Sequence, residues 1–125
     1  MVNPFADQKQ FMNACDQATD GRGNEEQYDL YRNLIAEEVE ELADAVQNDD
    51  RVEQLDALID ILVVTIGAIH SMGADAEGAW QEVFQTNLAK IDPGTGKVIK
   101  REDGKVLKPP GWRGPKLAPY LSGQN

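Results

Sequence analysis

The spacing of apolar residues predicts four helices before residue 91. Apolar side chains recur every three or four residues, the period of an α-helix, in four segments at about 5–19, 25–47, 51–71 and 76–90. Turn-forming residues separate these segments, with Gly73 after the third. Asp75 stands where its side chain would cap the fourth helix. The short connections favour antiparallel packing of neighbouring helices.

The pattern changes in the last third of the chain. The stretches 97–100 and 105–108 flank the dipeptide Asp103-Gly104, which is typical of hairpin turns. Residues 109–115 are rich in proline and glycine, so they cannot form a helix. They predict an extended arm that packs on its own body or on a neighbouring subunit.

The composition is that of one folded domain. The chain has 125 residues, of which 41% are hydrophobic and 27% charged, enough for a single modest core. We expect an all-α fold, a four-to-five-helix antiparallel bundle with a small C-terminal β-hairpin and an extended arm. In this single domain, 1–125, the helical core spans 5–91 and the basic hairpin and arm span 92–125.

The residue content also excludes several kinds of site. One cysteine and one histidine exclude an intramolecular disulfide and argue against zinc. The longest apolar run contains Asp60 and is too short to span a bilayer, so we expect no membrane partner. The N-terminus lacks the basic start and apolar core of a secretory signal. These features predict a cytoplasmic protein.

The net charge of −10 is distributed unevenly. Residues 1–89 carry four of the 12 basic side chains and 19 of the 22 acidic ones, whereas 90–125 carry eight basic and three acidic. An acidic body argues against a nucleic-acid partner. An acidic metal centre beside a basic tail would suit a small polyphosphate. The alternative is a solvated acidic surface with a basic arm.

Carboxylates interrupt the apolar face of the second predicted helix. At about 100° per residue, Glu38 falls in the middle of that face and Glu41 on its edge. Glu37 lies further round, and Glu40 points toward solvent. A carboxylate in an apolar stripe is costly unless a cation or hydrogen bonds compensate it.

The third predicted helix repeats this design. Glu53, Asp56 and Asp60 fall on one stripe, and apolar neighbours surround Asp60, which we expect to be buried. Antiparallel packing would bring Asp56 and Asp60 to Glu38 and Glu41. Four carboxylates in one place favour Mg²⁺, because this ion prefers oxygen ligands. The alternative is a set of exposed helix-forming glutamates with one structural buried aspartate.

The fourth predicted helix carries polar residues that could contact a ligand. Asn87 lies in the centre of its apolar face and Lys90 on the edge, where they could contact a base, sugar or phosphate. The alternative is a buried amide and a lysine that reaches solvent. Three other residues are expected to be structural: Cys15 and Trp80 in the core, and His70 on the surface at a helix end.

These residues resemble the MazG-like, all-α NTP pyrophosphohydrolases, which include dimeric dUTPases and phosphoribosyl-ATP pyrophosphohydrolases. Glu38-Val39-Glu40-Glu41 matches the ExxE half of the family signature. The other half of the signature is an acidic pair on the next helix, usually ExxD, and Glu53-Gln54-Leu55-Asp56 matches it literally. If Asp60 is taken as the aspartate of this pair instead, Ala57 stands where glutamate is usual. We favour Asp56 with Asp60. The segments 56–68, 87–90 and 104–110 look most like a short branch in bacteria and phages.

The resemblance implies a cytoplasmic, cellular or phage-encoded enzyme that cleaves a (d)NTP to (d)NMP and pyrophosphate in nucleotide-pool cleaning. It implies Mg²⁺, or Mn²⁺ in its place, on Glu38, Glu41, Asp56 and Asp60. The catalytic residues would be Glu37, Glu38 and Glu41, with Glu37 or Glu41 acting on the water. The substrate-binding residues would be Asn87, Lys90, Lys105, Lys108 and Arg113.

The subunits are expected to associate, because four short helices give little depth; the resemblance implies a homodimer or homotetramer. Two rival functions stay open. One is a phosphoribosyl-ATP pyrophosphohydrolase of histidine synthesis, which shares the acidic helices. The other is a non-catalytic helical interaction module whose acids are surface charges.

Overall fold

The computed structural model describes residues 1–121, and within them the chain forms four α-helices followed by a small hairpin. The helices are α1 (Pro4–Ala14), α2 (Glu25–Gln47), α3 (Arg51–Ser71) and α4 (Ala76–Leu88). Two short antiparallel strands follow, β1 (Ile91–Asp92) and β2 (Lys97–Val98), and a 3₁₀ turn covers Ala118–Tyr120. The predicted all-α bundle with a C-terminal hairpin is confirmed.

Side-chain caps fix the start of every one of these four helices. In each helix the cap oxygen accepts the backbone N–H three residues on, and the capping residues are Asn3, Asn24, Asp50 and Asp75. Each such bond contributes about 1 kcal/mol to helix stability. The predicted bounds of α2 and α3 and the Asp75 cap agree with the structure.

The predicted end of the first helix, near residue 19, is wrong. The helix ends at Ala14, and Asp16 adopts a left-handed backbone with φ of 58°. The backbone N–H of Gln17 then bonds to the carbonyl of Met12, which closes the helix. Cys15 lies at this helix end and is exposed, so its predicted place in the core is also wrong.

An additional hairpin precedes the predicted one. Strands β1 and β2 pair around the turn at 93–96, where Asp92 accepts the backbone N–H of Gly94 and Gly96 has a φ of 70°. The predicted pairing of 97–100 with 105–108 is also present: a bridge joins Lys100 to Val106, and the backbone N–H groups of Leu107 and Arg101 donate to the carbonyls of Ile99 and Lys105. Residues 97–98 pair with 91–92, and residues 99–101 pair with 105–107, so both turns form one after the other along the chain.

The core lies where α2 packs on α3, with α1 covering one end. Its buried residues are Met12, Tyr31, Val64 and Ala68. The Tyr31 ring lies against Gly67, where an added Cβ would come within 2.3 Å of a ring carbon. Its hydroxyl donates to Gln17, which joins α2 to the segment after α1. The pair α2–α3 therefore forms a rigid platform.

His70 is buried, which contradicts its predicted surface position. It is 6% exposed, and its Nε2 lies 2.9 Å from the carbonyl oxygen of Phe5 on α1. A carbonyl only accepts, so Nε2 carries the proton. Trp80, expected in the core, is 59% exposed.

Apolar side chains cover an exposed face of α3 and α4. On α3 these are Val52, Leu55, Leu58, Ile59 and Leu62, and on α4 they include Phe84 and Leu88. On α3, four of these residues (Val52, Leu55, Ile59 and Leu62) follow one another at helical spacing along one side, and an exposed apolar stripe of this kind marks an interaction site more often than a solvated surface. No single helix within residues 1–121 is long and apolar enough to cross a membrane, although α3 and α4 meet that test together across a bend of 114°.

Candidate metal centre

Three carboxylates from two helices converge at the α2–α3 interface. Glu38 and Glu41 lie one turn apart on α2, and Asp60 faces them from α3. One carboxylate oxygen of each residue lies within 4.8 Å of the others. The 100° spacing of helical residues and the antiparallel packing of α2 on α3 produce this cluster. We call Glu38, Glu41 and Asp60 the acidic trio.

Glu38 is the least compensated member of the trio. It is half-buried, and its Oε2 lies away from solvent without a hydrogen-bond partner among the described residues. Loss of surrounding water, a hydrogen bond with Glu41 and repulsion from Glu41, Asp60 and Asp56 raise its pKa to about 7. Part of the Glu38 population therefore holds a proton at neutral pH when no cation is present.

Asp56, which is exposed, lies one helical turn before Asp60, beside the trio but outside the three carboxylates that converge within 4.8 Å. Burial raises the pKa of Asp60, and repulsion from Asp56 and Glu41 and a hydrogen bond with Asp56 raise it further. Asp60 is half-buried, less enclosed than the sequence predicted. The two possible acidic pairs on α3 are Glu53 with Asp56 and Asp56 with Asp60. The structure places the second pair near Glu38 and Glu41.

The remaining acidic candidates lie outside the trio. Glu53 is exposed in the first turn of α3, where its backbone N–H bonds to the Asp50 cap. Glu37 and Glu40 are exposed on α2, and no described hydrogen bond or ion pair involves their side chains. Of the two glutamates suggested to act on water, only Glu41 belongs to the trio.

The trio fits a divalent cation. The ion pairs found within residues 1–121 join Arg22 to Asp20, Arg32 to Asp29 and Arg101 to Asp103. None of these arginines reaches the trio. Adjacent carboxylates without a cation repel each other, and an unpaired buried oxygen is unfavourable. Because Mg²⁺ binds hard oxygen ligands, one such ion would relieve both effects.

A second, basic group lies at the end of α4. The Lys90 ammonium donates to Oδ1 of Asn87 over 3.1 Å. It also lies 5.1 Å from the centre of the Trp112 ring, and the Lys108 ammonium lies 5.2 Å from that centre. We call Lys90, Lys108 and Asn87 the basic group. Asn87 itself is exposed, which removes the buried-amide alternative for this subunit.

The structure does not join the basic group to the acidic trio. No described hydrogen bond or ion pair connects them, and α4 turns away from α3 by 114°. Lys105 and Arg113 are exposed, and no described hydrogen bond or ion pair involves their side chains. The two halves of the predicted site therefore occupy separate regions of one subunit.

Sequence reasoning missed how Trp112 links the two lysines to α4. Its indole N–H donates to the carbonyl oxygen of Thr86 over 2.7 Å. The only signal was a tryptophan near lysines in an arm rich in proline and glycine. That signal equally suits a tryptophan that stacks on a base.

The acidic helix pair within a four-helix fold defines the class of all-α NTP pyrophosphohydrolases. The family model for phosphoribosyl-ATP pyrophosphohydrolase (PRA-PH) matches residues 9–87, and the chain belongs to this family within the MazG-like superfamily. No curated protein matches the chain. The superfamily prediction is confirmed, and the family is one of pyrophosphohydrolases. MazG-like pyrophosphohydrolases typically depend on a divalent metal.

The matched region extends from α1 almost to the end of α4. It contains the acidic trio and Asn87, and it ends before Lys90, the hairpin and the arm. The cytoplasmic location and the cellular or phage source stay predictions.

Proposed function

We propose that the chain hydrolyses a nucleoside or deoxynucleoside triphosphate to its monophosphate and pyrophosphate. The observation that carries this proposal is the acidic trio, in which a buried oxygen of Glu38 has no hydrogen-bond partner within residues 1–121. The family match supports the same class of reaction.

Glu38, Glu41 and Asp60 would hold Mg²⁺, and Asp56 would support Asp60 from one turn away. A divalent metal at such a site neutralises charge on the leaving pyrophosphate and lowers the pKa of bound water. Mn²⁺, which also binds oxygen ligands, would serve as a substitute.

In the reaction, the water oxygen forms a bond to the α-phosphorus while the bond from that phosphorus to the pyrophosphate oxygen breaks. Glu41 is our candidate to orient this water and accept its proton, because it is exposed and adjoins Glu38. Glu37 is the alternative on the same helix. The departing pyrophosphate carries the bonding electron pair.

Lys90 and Lys108, assisted by Asn87, would bind phosphate oxygens through charge-assisted hydrogen bonds. Lys105 and Arg113, which are exposed, would add positive charge from the hairpin and the arm. Because these cations lie apart from the acidic trio in one subunit, we propose that subunit association completes the site.

We propose a homodimer or a homotetramer. The exposed apolar face of α3 and α4, which includes Leu55, Ile59, Leu62 and Phe84, supports association. Burying such a face is the main favourable contribution to stable homo-oligomers.

Phosphoribosyl-ATP is a second candidate substrate, because the matching family carries that description. Its cleavage breaks the same kind of bond, between the α- and β-phosphates. The acidic trio serves both substrates equally, so the substrate panel must include both.

The test is pyrophosphate release from NTPs, dNTPs and phosphoribosyl-ATP, in Mg²⁺, Mn²⁺ or EDTA. Wild type is compared with Asp60→Asn and with Glu40→Gln, an exposed control on the acidic helix. We expect metal-dependent turnover in wild type and Glu40→Gln and its loss in Asp60→Asn. No turnover of any substrate, with a melting temperature unchanged by Mg²⁺, would favour the helical interaction module.

A further inference from the structure

The C-terminal arm runs antiparallel to α4 and contacts it at regular intervals. Its contacts, four residues apart on both elements, join Trp112 to Thr86, Lys116 to Glu82 and Tyr120 to Gly78. The carbonyl oxygen of Tyr120 also accepts the backbone N–H of Asp75 over 2.8 Å. Residues 109–121 are therefore anchored along the whole of α4, and we call them the strap.

Trp112 anchors the strap at the C-terminal end of α4. The last carbonyls of a helix have no partner within the helix. The carbonyls of Gln85 and Asn87 accept from the backbone N–H groups of Ala89 and Lys90. The carbonyl of Thr86 accepts instead from the Trp112 indole. This bond fixes the indole over the last turn of α4.

The fixed ring holds two ammonium groups that come from different segments. Lys90 follows α4 and Lys108 precedes the strap, yet both lie within 5.2 Å of the ring centre. Like charges near each other repel, while the negative face of an aromatic ring attracts a cation within about 6 Å. The Asn87 oxygen adds a second attraction for Lys90. The ring therefore attracts both ammonium groups to one place at the end of α4.

We propose that Trp112 is a positioning residue that holds Lys90 and Lys108 together as a binding site for the polyphosphate chain of the substrate. This inference rests on the proposed function and names the residue that organises its phosphate site. Trp112 would not stack on a base, because the lysines already lie over its ring. Its effect should therefore depend on phosphate charge and be independent of the base.

The first experiment measures binding of inorganic tripolyphosphate in EDTA. The chain has two tryptophans, so Trp80→Phe leaves Trp112 as the sole indole emitter. We expect tripolyphosphate to change its emission, because the ligand brings negative charge next to the ammonium groups that contact the ring. Titration calorimetry should give Trp80→Phe the same Kd as wild type.

The second experiment compares variants of Trp112 by calorimetry. We expect Trp112→Leu to raise the Kd about tenfold, the loss of two partly exposed cation–π contacts. Trp112→Phe keeps a ring without the N–H and should recover part of this loss. Lys90→Met should weaken binding strongly in the wild-type background and only slightly in Trp112→Leu. Equal effects of Lys90→Met in both backgrounds would overturn the inference.

Kinetics separate this inference from the proposed function. If the chain turns over a triphosphate, Trp112→Leu should raise KM about tenfold and change kcat little, whichever base the substrate carries. A fall in kcat at constant KM, or an unchanged Kd for tripolyphosphate, would overturn the role of Trp112 alone. If no substrate reacts but Trp112→Leu still weakens tripolyphosphate binding, the inference stands and the proposed function fails.

Discussion

Glu38 on α2 and Asp60 on α3 bring carboxylate oxygens within 4.8 Å of each other, while one oxygen of Glu38 is buried with no hydrogen-bond partner in the part of the chain that the structure describes. The two residues lie 22 positions apart in sequence, so only the packing of the helices brings them together. This arrangement is unfavourable for the metal-free chain and favourable for a chain that binds a cation.

The stability of the metal-free protein should fall as the pH rises. The pKa of Glu38 is raised from 4.5 to about 7, so between these values the folded state binds more protons than the unfolded state. Stability therefore decreases through this window. We expect the Tm in EDTA to be higher at pH 5 than at pH 8, measured by circular dichroism. Mg²⁺ should raise the Tm more at pH 8, because it binds the deprotonated carboxylates.

Glu38→Gln provides the control for the pH prediction. The amide cannot ionise, so the decrease in Tm between pH 5 and pH 8 in EDTA should become smaller. An unchanged pH dependence in Glu38→Gln would show that other groups determine it.

Asp60→Asn should stabilise the metal-free protein and abolish its function. Removing one of the clustered charges lowers repulsion, so the Tm in EDTA should rise. The response of the Tm to Mg²⁺ should disappear, and pyrophosphate release should fall at least about 100-fold, the upper range for losing even an indirect metal contact. A variant that keeps both responses would show that Asp60 is not a ligand.

Gly67→Ala should destabilise the fold through Tyr31. An added Cβ would come within 2.3 Å of the Tyr31 ring, and overpacking in a core costs about 1–3 kcal/mol. This exceeds the roughly 1 kcal/mol that alanine gains over glycine in a helix. Gly21→Ala is the matched control, since no atom of the described residues lies within 4 Å of its added Cβ. Urea unfolding with equal midpoints for both variants would refute the proposed Tyr31–Gly67 contact.

Charges on the exposed apolar face should dissociate the subunits. Leu55 and Leu62 are 63% and 58% exposed in the single chain, so Leu55→Lys with Leu62→Lys should cost that chain little stability. Sedimentation velocity should show an oligomer for wild type and a monomer for the double variant. Val2→Lys, at an exposed terminal position, is the control and should stay oligomeric. A monomeric wild type would refute the association.

The sequence predicted the platform of the site well, because its signals are local. Capping by Asn24 and Asp50 and a regular apolar period determine α2 and α3, and the helical spacing then places Glu38 and Glu41 opposite Asp60. The family resemblance rests on these same residues.

The errors arise where distant contacts decide the structure. His70 was expected at the surface because it ends a helix, but α1 packs over it and Phe5 binds its ring. The hairpin at Asp103-Gly104 forms as predicted, but the earlier turn at 93–96, which pairs 91–92 with 97–98, was not predicted. The contacts of Trp112 with Lys90 depend on the path of the strap, which no local pattern specifies.

The central claim, that the acidic trio supports metal-dependent attack on the α-phosphorus, is tested most directly by hydrolysis in ¹⁸O-labelled water. The measurement is mass spectrometry of both products, with Mg²⁺ or EDTA, for wild type and Asp60→Asn. We predict label in the nucleoside monophosphate, unlabelled pyrophosphate, and no product in EDTA or in Asp60→Asn. Release of labelled inorganic phosphate with a diphosphate, or equal turnover in EDTA, would contradict the account.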